Sequence, residues 1–150
     1  MLELLIVAAA ATSAPTLAQS ALAPWASFVG HCWSGVAPGR GIDTHCFESV
    51  YGGQHVRDRH EVKVDGRAVY SGETLYSVEG QDVTFTYWNS PGGVGRGKAI
   101  ANGAELDFSG EIRPTPSSPS ERFNASWLKT GAGYEVSDEG RTKSLFKRVE

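Results

Sequence analysis

The most constraining feature of this sequence is a run of three strand-like segments joined by two very short turns. The segments cover residues 42–51, 54–64 and 67–78, and the turns are Gly52-Gly53 and Asp65-Gly66. Both dipeptides are typical of two-residue β-hairpin loops, because glycine and aspartate tolerate the positive φ that such loops require. A loop of this length also determines which residues face each other. The sequence therefore predicts three antiparallel strands in a defined register.

The rest of the chain continues the same pattern. Several further segments alternate apolar and polar residues, as in Val83, Phe85 and Tyr87, and no helical repeat separates them. A meander of this kind exposes two edges unless it closes, so we predict an all-β, antiparallel up-and-down barrel of about 8–10 strands. A short helical turn over residues 24–28 should cap one end. The predicted strands are 31–37, 42–51, 54–64, 67–78, 83–89, 94–101, 104–112, 121–128, 132–137 and 141–149.

The first residues are expected to form a secretory signal peptide. An apolar stretch from Leu4 to Ala11 precedes Thr16-Leu17-Ala18, which is typical of a cleavage site. This predicts a signal peptide over 1–18, a single barrel domain over 19–150, and a periplasmic or secreted location. The apolar stretch is too short to cross a membrane, and we expect no transmembrane segment after its removal. With a net charge of −3, the chain also lacks the basic surface expected of a nucleic-acid-binding protein.

The chain has two cysteines, Cys32 and Cys46, and an even number in an exported protein suggests a disulfide. A turn signal at 38–41 predicts a hairpin that places Cys32 opposite Cys46 and Trp33 opposite His45. A bridge across this hairpin would stabilise the fold by roughly 3 kcal/mol. The alternative, for a chain that stays in the cytoplasm, is two free thiols or two metal ligands.

The predicted register collects polar side chains on the inner face of the barrel. Across the Gly-Gly turn His45 lies opposite His60, and across the Asp-Gly turn Asp58 lies opposite Glu73. Facing side chains on neighbouring strands have β-carbons about 5 Å apart, so we expect these four groups to interact. The residues predicted to contact a ligand are His45, His60, Asp58, Glu73, Ser71, Trp33, Phe47, Phe85 and Tyr87.

This polar group is compatible with several kinds of chemistry. Two imidazoles and two carboxylates are suitable ligands for Zn²⁺ or another divalent ion, with His45, His60, Asp58 and Glu73 as the candidate set. They could instead catalyse proton transfer, recognise the head group of a ligand, or only hydrogen-bond among themselves and with trapped water. A one-residue bulge in either hairpin would move every later side chain of that strand to the other face. The identity of any cofactor is left open.

One motif near the start of the barrel resembles a known family. The pattern Phe28-x-Gly30-x-x-Trp33-x-Gly35 resembles the opening of lipocalin-like (calycin) barrels, in which glycine and tryptophan close the barrel floor, although lipocalins have Gly-x-Trp. The segments 50–53, 72–74 and 87–90 are similar to those of an uncharacterised group of small bacterial lipocalin-like proteins. The resemblance implies a barrel that binds a small, mostly apolar ligand. It also implies that a late arginine, Arg148 or Arg122, packs on the tryptophan.

Two other functional classes stay open at this point. Some calycins bind haem and a minority are enzymes, so the inner His/Asp/Glu group could serve a metal, a haem or a reaction. A barrel filled with aromatic side chains would instead be a purely structural envelope protein, because it would leave no room for a ligand.

Overall fold

The computed structural model describes residues 17, 20–37, 39, 41–138 and 143–149, and within them the chain forms a closed antiparallel barrel of ten strands. Each strand pairs with the next along the chain, and the last pairs with the first. This confirms the predicted up-and-down barrel. The strands are β1 Cys32–Ala37, β2 Gly41–Val50, β3 His55–Val64, β4 Arg67–Glu79, β5 Asp82–Asn89, β6 Val94–Asn102, β7 Glu105–Arg113, β8 Glu121–Thr130, β9 Gly133–Asp138 and β10 Ser144–Val149.

The predicted signal peptide lies outside the described residues apart from Leu17, which packs against the core of the barrel. In the part of the chain that the structure describes, no helix has the length and apolar character needed to cross a bilayer.

The register between β2 and β3 is the predicted one, although the turn differs from the expected two-residue loop. Val50 pairs with His55, so four residues form the connection, and they include a 3₁₀ turn over Tyr51–Gly53. Three of these residues have positive φ, with values of 52° at Tyr51, 68° at Gly52 and 88° at Gly53. Lengthening the loop by one residue on each side leaves the pairing unchanged. His45 therefore lies opposite His60, as predicted.

The register between β3 and β4 was predicted incorrectly beyond the turn. Asp65 and Gly66 form the expected loop with φ of 50° and 76°, and Val64 pairs with Arg67. A bulge then shifts the pairing after Lys63, so that Val62 pairs with Tyr70. One extra residue in β4 exchanges the inner and outer faces of the strand. The residues that turn inward are Tyr70, Gly72, Thr74 and Tyr76, and those that turn outward include Ser71 and Glu73.

Burial explains why β4 adopts the bulged register. The side chain of Tyr76 is only 2% exposed and packs on Trp25 with ring centroids 5.1 Å apart. Without the bulge, Tyr76 would point to solvent and Glu73 would lie inside beside Asp58. Two carboxylates side by side in a buried site repel each other and lose hydration. The bulge replaces that arrangement with a buried aromatic ring.

One end of the barrel is closed by an aromatic cluster that we call the floor. The segment before β1 contains a short 3₁₀ helix, Ala23–Trp25, which confirms the predicted helical turn. Trp25 and Phe28 from this segment are 0% and 2% exposed. Phe28 packs on Tyr134 and Phe47 at centroid distances of 5.0 and 5.2 Å. Burial of side chains of this size contributes several kcal/mol to folding.

The cation at the floor is not the arginine that the family resemblance implies. The ammonium group of Lys129 lies 5.2 Å from the centre of the Phe28 ring and donates to the carbonyl oxygen of Pro24. Arg148 does pair with Trp33 across β1 and β10, but its side chain is exposed. A lysine on β8 therefore ties the N-terminal segment to the barrel wall.

The two cysteines are joined, as predicted. Cys32 on β1 and Cys46 on β2 are directly opposite each other, and their sulfur atoms form a disulfide across 14 residues of chain. The same pairing places Trp33 opposite His45. The bridge therefore fixes the strand that carries His45 to its neighbour.

Reduction of this disulfide should lower the free energy of unfolding by about 3 kcal/mol, because the open chain gains the entropy that the closed loop had lost. Urea unfolding of the oxidised protein, with and without reductant, measures the difference. The Cys32→Ala/Cys46→Ala double variant should match the reduced protein and show no response to reductant. Equal stability of the oxidised and reduced forms would contradict this expectation.

Candidate functional site

Above the floor, the barrel encloses a cavity of about 530 Å³ with two chemically different walls. Strands β2 and β3 contribute a polar wall, and β7 and β8 lie on the opposite side of the ring of ten strands. The second wall is mainly aromatic. The polar lining includes Asp43, His45, Asp58, His60 and Tyr87, and the apolar lining includes Phe85, Phe108, Phe123, Trp127 and Phe146.

The predicted ligand-contacting residues separate into three groups. Those that line the cavity are His45, His60, Asp58, Phe85 and Tyr87. Trp33 and Phe47 point inward but belong to the floor, where both pack on Phe28. Ser71 and Glu73 lie on the outside of the barrel as a consequence of the bulge, in a shallow surface depression with Trp88. Their predicted place beside His60 and Asp58 is therefore wrong.

The most important residue that the sequence reasoning overlooked is Asp43. It lies two residues before His45 on the same strand, so it necessarily shares the inner face. Its carboxylate lies between the two imidazoles, with Oδ2 3.3 Å from Nε2 of His45 and Oδ1 3.1 Å from Nδ1 of His60. The alternation that identified His45 and His60 could also have identified Asp43. Tyr70 was missed for a different reason, since only the bulge brings it inside.

His45 is held on both sides by carboxylates. Its Nδ1 donates to Oδ2 of Asp58 at 2.8 Å, and its Nε2 faces Asp43. The imidazole also stacks on His60 at a centroid distance of 4.7 Å. The ring centroids of Trp127 and Phe146 lie 6.1 and 5.3 Å from that of His45, both in T-shaped contacts. Hydrogen bonds and aromatic packing together leave this ring one orientation.

A hydrogen-bonded chain continues from His60 to two phenols. Nε2 of His60 lies 3.1 Å from the hydroxyl of Tyr87, which in turn lies 2.6 Å from the hydroxyl of Tyr70. Every proton has a partner when Tyr70 donates to Tyr87, Tyr87 donates to His60, and His60 donates to Asp43. We call this chain of six side chains the relay; its members are Asp58, His45, Asp43, His60, Tyr87 and Tyr70.

The electrostatics of the relay are dominated by its carboxylates. Burial alone would lower the pKa of His45, but Asp58 and Asp43 outweigh it and raise the pKa to about 10. Burial would likewise raise the pKa of Asp43, yet its hydrogen bonds to His45 and His60 hold that pKa well below the ordinary value. His45 is therefore a half-buried cation at neutral pH, and Asp43 is ionised. Burial keeps the pKa of Tyr87 far above its usual range, so this phenol stays protonated.

The cavity carries more negative than positive charge. Asp43 and Asp58 line it beside the two imidazoles, and the described lining contains no lysine or arginine. Asp58 is 2% exposed, and its Oδ1 has no hydrogen-bond partner in the described part of the chain. Both N–H groups of His45 are already directed at carboxylates, so this cation has no free donor to offer an anion. The site is therefore built to attract positive charge and to repel negative charge.

The relay also contains the residues most suited to hold a metal ion. One donor atom from each of Asp43, His45 and His60 lies within 4.8 Å of the other two, and all three side chains are half-buried. Asp58 contacts His45 from behind, and Glu73 lies on the opposite face of the sheet. The four-residue set expected from the sequence is thus replaced by a three-residue set that includes Asp43.

Comparison of the sequence with protein-family models and with curated proteins finds no match.

The free energy of unfolding should decrease as the pH rises above about 6.5. The pKa of His45 is about 10 in the folded protein against an ordinary value of 6.5, so its stabilising contribution is complete below 6.5 and is lost as the pH rises toward 10. The slope can reach about 1.4 kcal/mol per pH unit. Urea unfolding between pH 6.5 and 9, in the presence of a chelator so that protons are the only cations bound, measures it. The His45→Gln variant should show a much flatter profile, and an identical slope in both proteins would contradict the assignment.

Gly72 should be needed for the hydrogen bond between His60 and Tyr87. A β-carbon at this position would lie 2.5 Å from Nε2 of His60 and 2.6 Å from the hydroxyl of Tyr87. We expect Gly72→Ala to lower the free energy of unfolding by about 1–3 kcal/mol through this overlap. Gly95→Ala is the matched control, since its β-carbon would meet Tyr87 at an ordinary 3.4 Å. Equal effects of the two substitutions on urea unfolding would show that the overlap is not the cause.

Proposed function

We propose that this protein is an exported, calycin-like carrier or sensor that binds one small, mostly apolar molecule inside the barrel. The observation that carries the proposal is the cavity of about 530 Å³ with an aromatic wall facing a charged one. Pockets for small ligands typically measure about 300–1,000 Å³ and combine apolar walls with a few polar groups. A protein with a purely structural role would gain stability by filling this space.

The aromatic wall supports an apolar ligand body. Phe108 and Trp127 pack on each other with centroids 4.7 Å apart, and Phe85 lies 6.3 Å from Phe108. These rings are already ordered by their mutual contacts, so a ligand that covers them pays little entropy for rearrangement. Each square ångström of apolar ligand surface that they shield from water adds to the affinity.

The relay supports a particular polar end for that ligand. The carboxylates of Asp43 and Asp58 outnumber the imidazolium of His45, and no lysine or arginine among the described lining residues balances them. A ligand carboxylate in this position would be repelled, while an ammonium or a neutral hydrogen-bond donor would be accepted. Two unit charges about 7 Å apart at an effective dielectric constant near 20 interact by roughly 2 kcal/mol, which is more than tenfold in affinity.

Export is supported by two separate features. The Cys32–Cys46 bridge is of the kind that persists in an oxidising compartment. The apolar stretch and small residues over 1–18 are typical of a secretory signal peptide.

Three probes with the same ten-carbon chain test the proposal: decylamine, decanol and decanoate. We expect decylamine and decanol to bind, and decanoate to bind at least about tenfold more weakly than decylamine, because only the carboxylate is repelled by the relay. Isothermal titration calorimetry at pH 7, below the critical micelle concentrations, gives the three affinities. Equal or tighter binding of decanoate would contradict the charge argument, and absence of binding by all three would contradict the binding function.

A cavity-filling variant tests whether the ligand binds inside the barrel. Ala125 on β8 lines the cavity, and Ala125→Phe should abolish binding of decylamine by occupying its space. Leu128→Phe adds a ring on the same strand, but at a position that is 37% exposed on the outer face. This second variant should bind as the wild type does. Unchanged affinity in Ala125→Phe would place the ligand elsewhere.

A further inference from the structure

Three donor atoms in the relay converge on one point between β2 and β3. Asp43, His45 and His60 each offer one ligand atom, and the three atoms lie within 4.8 Å of one another. Nε2 of His45 and Nδ1 of His60 are the nitrogens that face the Asp43 carboxylate. The backbone holds them there, because Asp43 and His45 are alternate residues of β2 and His60 pairs directly with His45. No loop residue is involved, so the geometry is that of a rigid sheet.

The separations between these atoms match those around a bound ion. Bonds of about 2.0–2.2 Å from a metal to nitrogen or oxygen set neighbouring ligand atoms about 3.0–3.5 Å apart. Oδ2 of Asp43 lies 3.3 Å from Nε2 of His45, and Oδ1 of Asp43 lies 3.1 Å from Nδ1 of His60. An ion can therefore replace the protons that now join Asp43 to the two rings, with small movements of side chains alone.

The groups behind the two imidazoles have the arrangement that metal-binding histidines need. A ligating imidazole usually donates its other N–H to a carboxylate or another acceptor, which fixes the ring and its tautomer. Nδ1 of His45 donates to Asp58 at 2.8 Å, which leaves Nε2 for the ion. Nε2 of His60 lies 3.1 Å from the hydroxyl of Tyr87, so it can donate to that oxygen while Nδ1 binds the ion.

The two phenols allow this exchange of protons by reversing the hydrogen bond between them, with the hydroxyl proton of half-buried Tyr70 then turned away from Tyr87. Tyr70 and Tyr87 are 2.6 Å apart, and either hydroxyl can be the donor. Without an ion, Tyr70 donates to Tyr87 and Tyr87 donates to His60. With an ion on His60, the ring donates to Tyr87 and Tyr87 donates to Tyr70. The same heavy-atom positions serve both states.

We propose that Asp43, His45 and His60 form a binding site for a divalent transition-metal ion of the zinc class, with Asp58 and Tyr87 as the partners that orient the two imidazoles. Two nitrogens and one carboxylate oxygen leave at least one coordination position free, and that position faces the cavity. Sites with three protein ligands and an open position are those in which the metal binds a water molecule or a ligand. This site needs no organic molecule, so it stands independently of the proposed carrier function.

The charge of the surroundings favours an ion over an empty hydrogen-bonded network. Asp43 and Asp58 face the two rings, and Oδ1 of Asp58 has no partner among the described residues. The described lining of the cavity contains no lysine or arginine that would compete for Asp43 and Asp58. A divalent cation would neutralise the excess negative charge that protons compensate only in part.

Zn²⁺ alone is the probe for this site. The oxidised protein, without an affinity tag and treated with chelator, is titrated with Zn²⁺ at pH 7.5 and followed by calorimetry and by NMR of its histidine rings. The chain has four histidines, so their ring signals can be assigned separately. We expect one Zn²⁺ per chain, with shifts in the signals of His45 and His60 and none in those of His31 and His55. Absence of binding, or shifts confined to His31 or His55, would overturn the proposal.

Matched variants separate a ligand from a merely structural residue. Asp43→Asn keeps the size of the side chain and should weaken Zn²⁺ binding by more than about 100-fold, and Asp58→Asn should weaken it by about 10–100-fold. Asp82→Asn, whose native carboxylate pairs with Lys98 on the outer surface, should bind as the wild type does. The rise in melting temperature that Zn²⁺ causes should be lost in Asp43→Asn and kept in Asp82→Asn. If Asp43→Asn does not fold, His60→Gln takes its place, and equal Zn²⁺ affinity in all folded variants would overturn the proposal.

Discussion

The pairing of β2 with β3 is the constraint on which the interior of this barrel depends. It places His45 opposite His60, and the alternation of the strand brings Asp43 to the same face. The disulfide ties β2 to β1 on the other side, so the strand that carries two relay residues is fixed along both edges. A shift of one residue in this pairing would turn all of these groups to solvent. The polar chemistry of the cavity is therefore a direct consequence of backbone hydrogen bonding.

Much of the strand pairing could be predicted from the sequence, because glycine and aspartate are typical of tight turns and a tight turn determines which residues pair. The Gly52-Gly53 signal gave the correct register even though the actual loop has four residues, since one residue was added on each side. The Asp65-Gly66 turn was also predicted correctly. The bulge beyond it was not, because a bulge of this kind requires no particular residue. Its cause is the burial of Tyr76 against Trp25, a contact 51 positions apart that no local pattern reports.

The residues of the candidate site, like the strand pairing, were predicted only in part. The two histidines and Asp58 were identified by alternation, and so was Tyr87, whereas Glu73 was placed inside by the register error. Asp43 was visible to the same reasoning, but it lies close to the turn signal at 38–41, where an acidic residue is typical of an exposed position. The closure of the relay depends on Tyr70, which the bulge turns inward. Distances between side chains on four different strands follow from the whole barrel and not from any segment of it.

Two features of the interior reduce stability, and they occur in the same place. A cavity of about 530 Å³ forfeits the packing contacts that a filled core would make. Beside it, buried carboxylates and an imidazolium lose hydration, and ion pairs of this kind are often no more stabilising than apolar side chains of similar volume. Oδ1 of Asp58 adds a charged acceptor without a partner in the described chain. A fold that only needed to be stable would lose nothing by filling the space with leucine and phenylalanine. Here an unfilled space and an excess of negative charge occur together. This combination is expected where a cation or a polar ligand binds, because departures from good packing and from charge balance concentrate at functional sites.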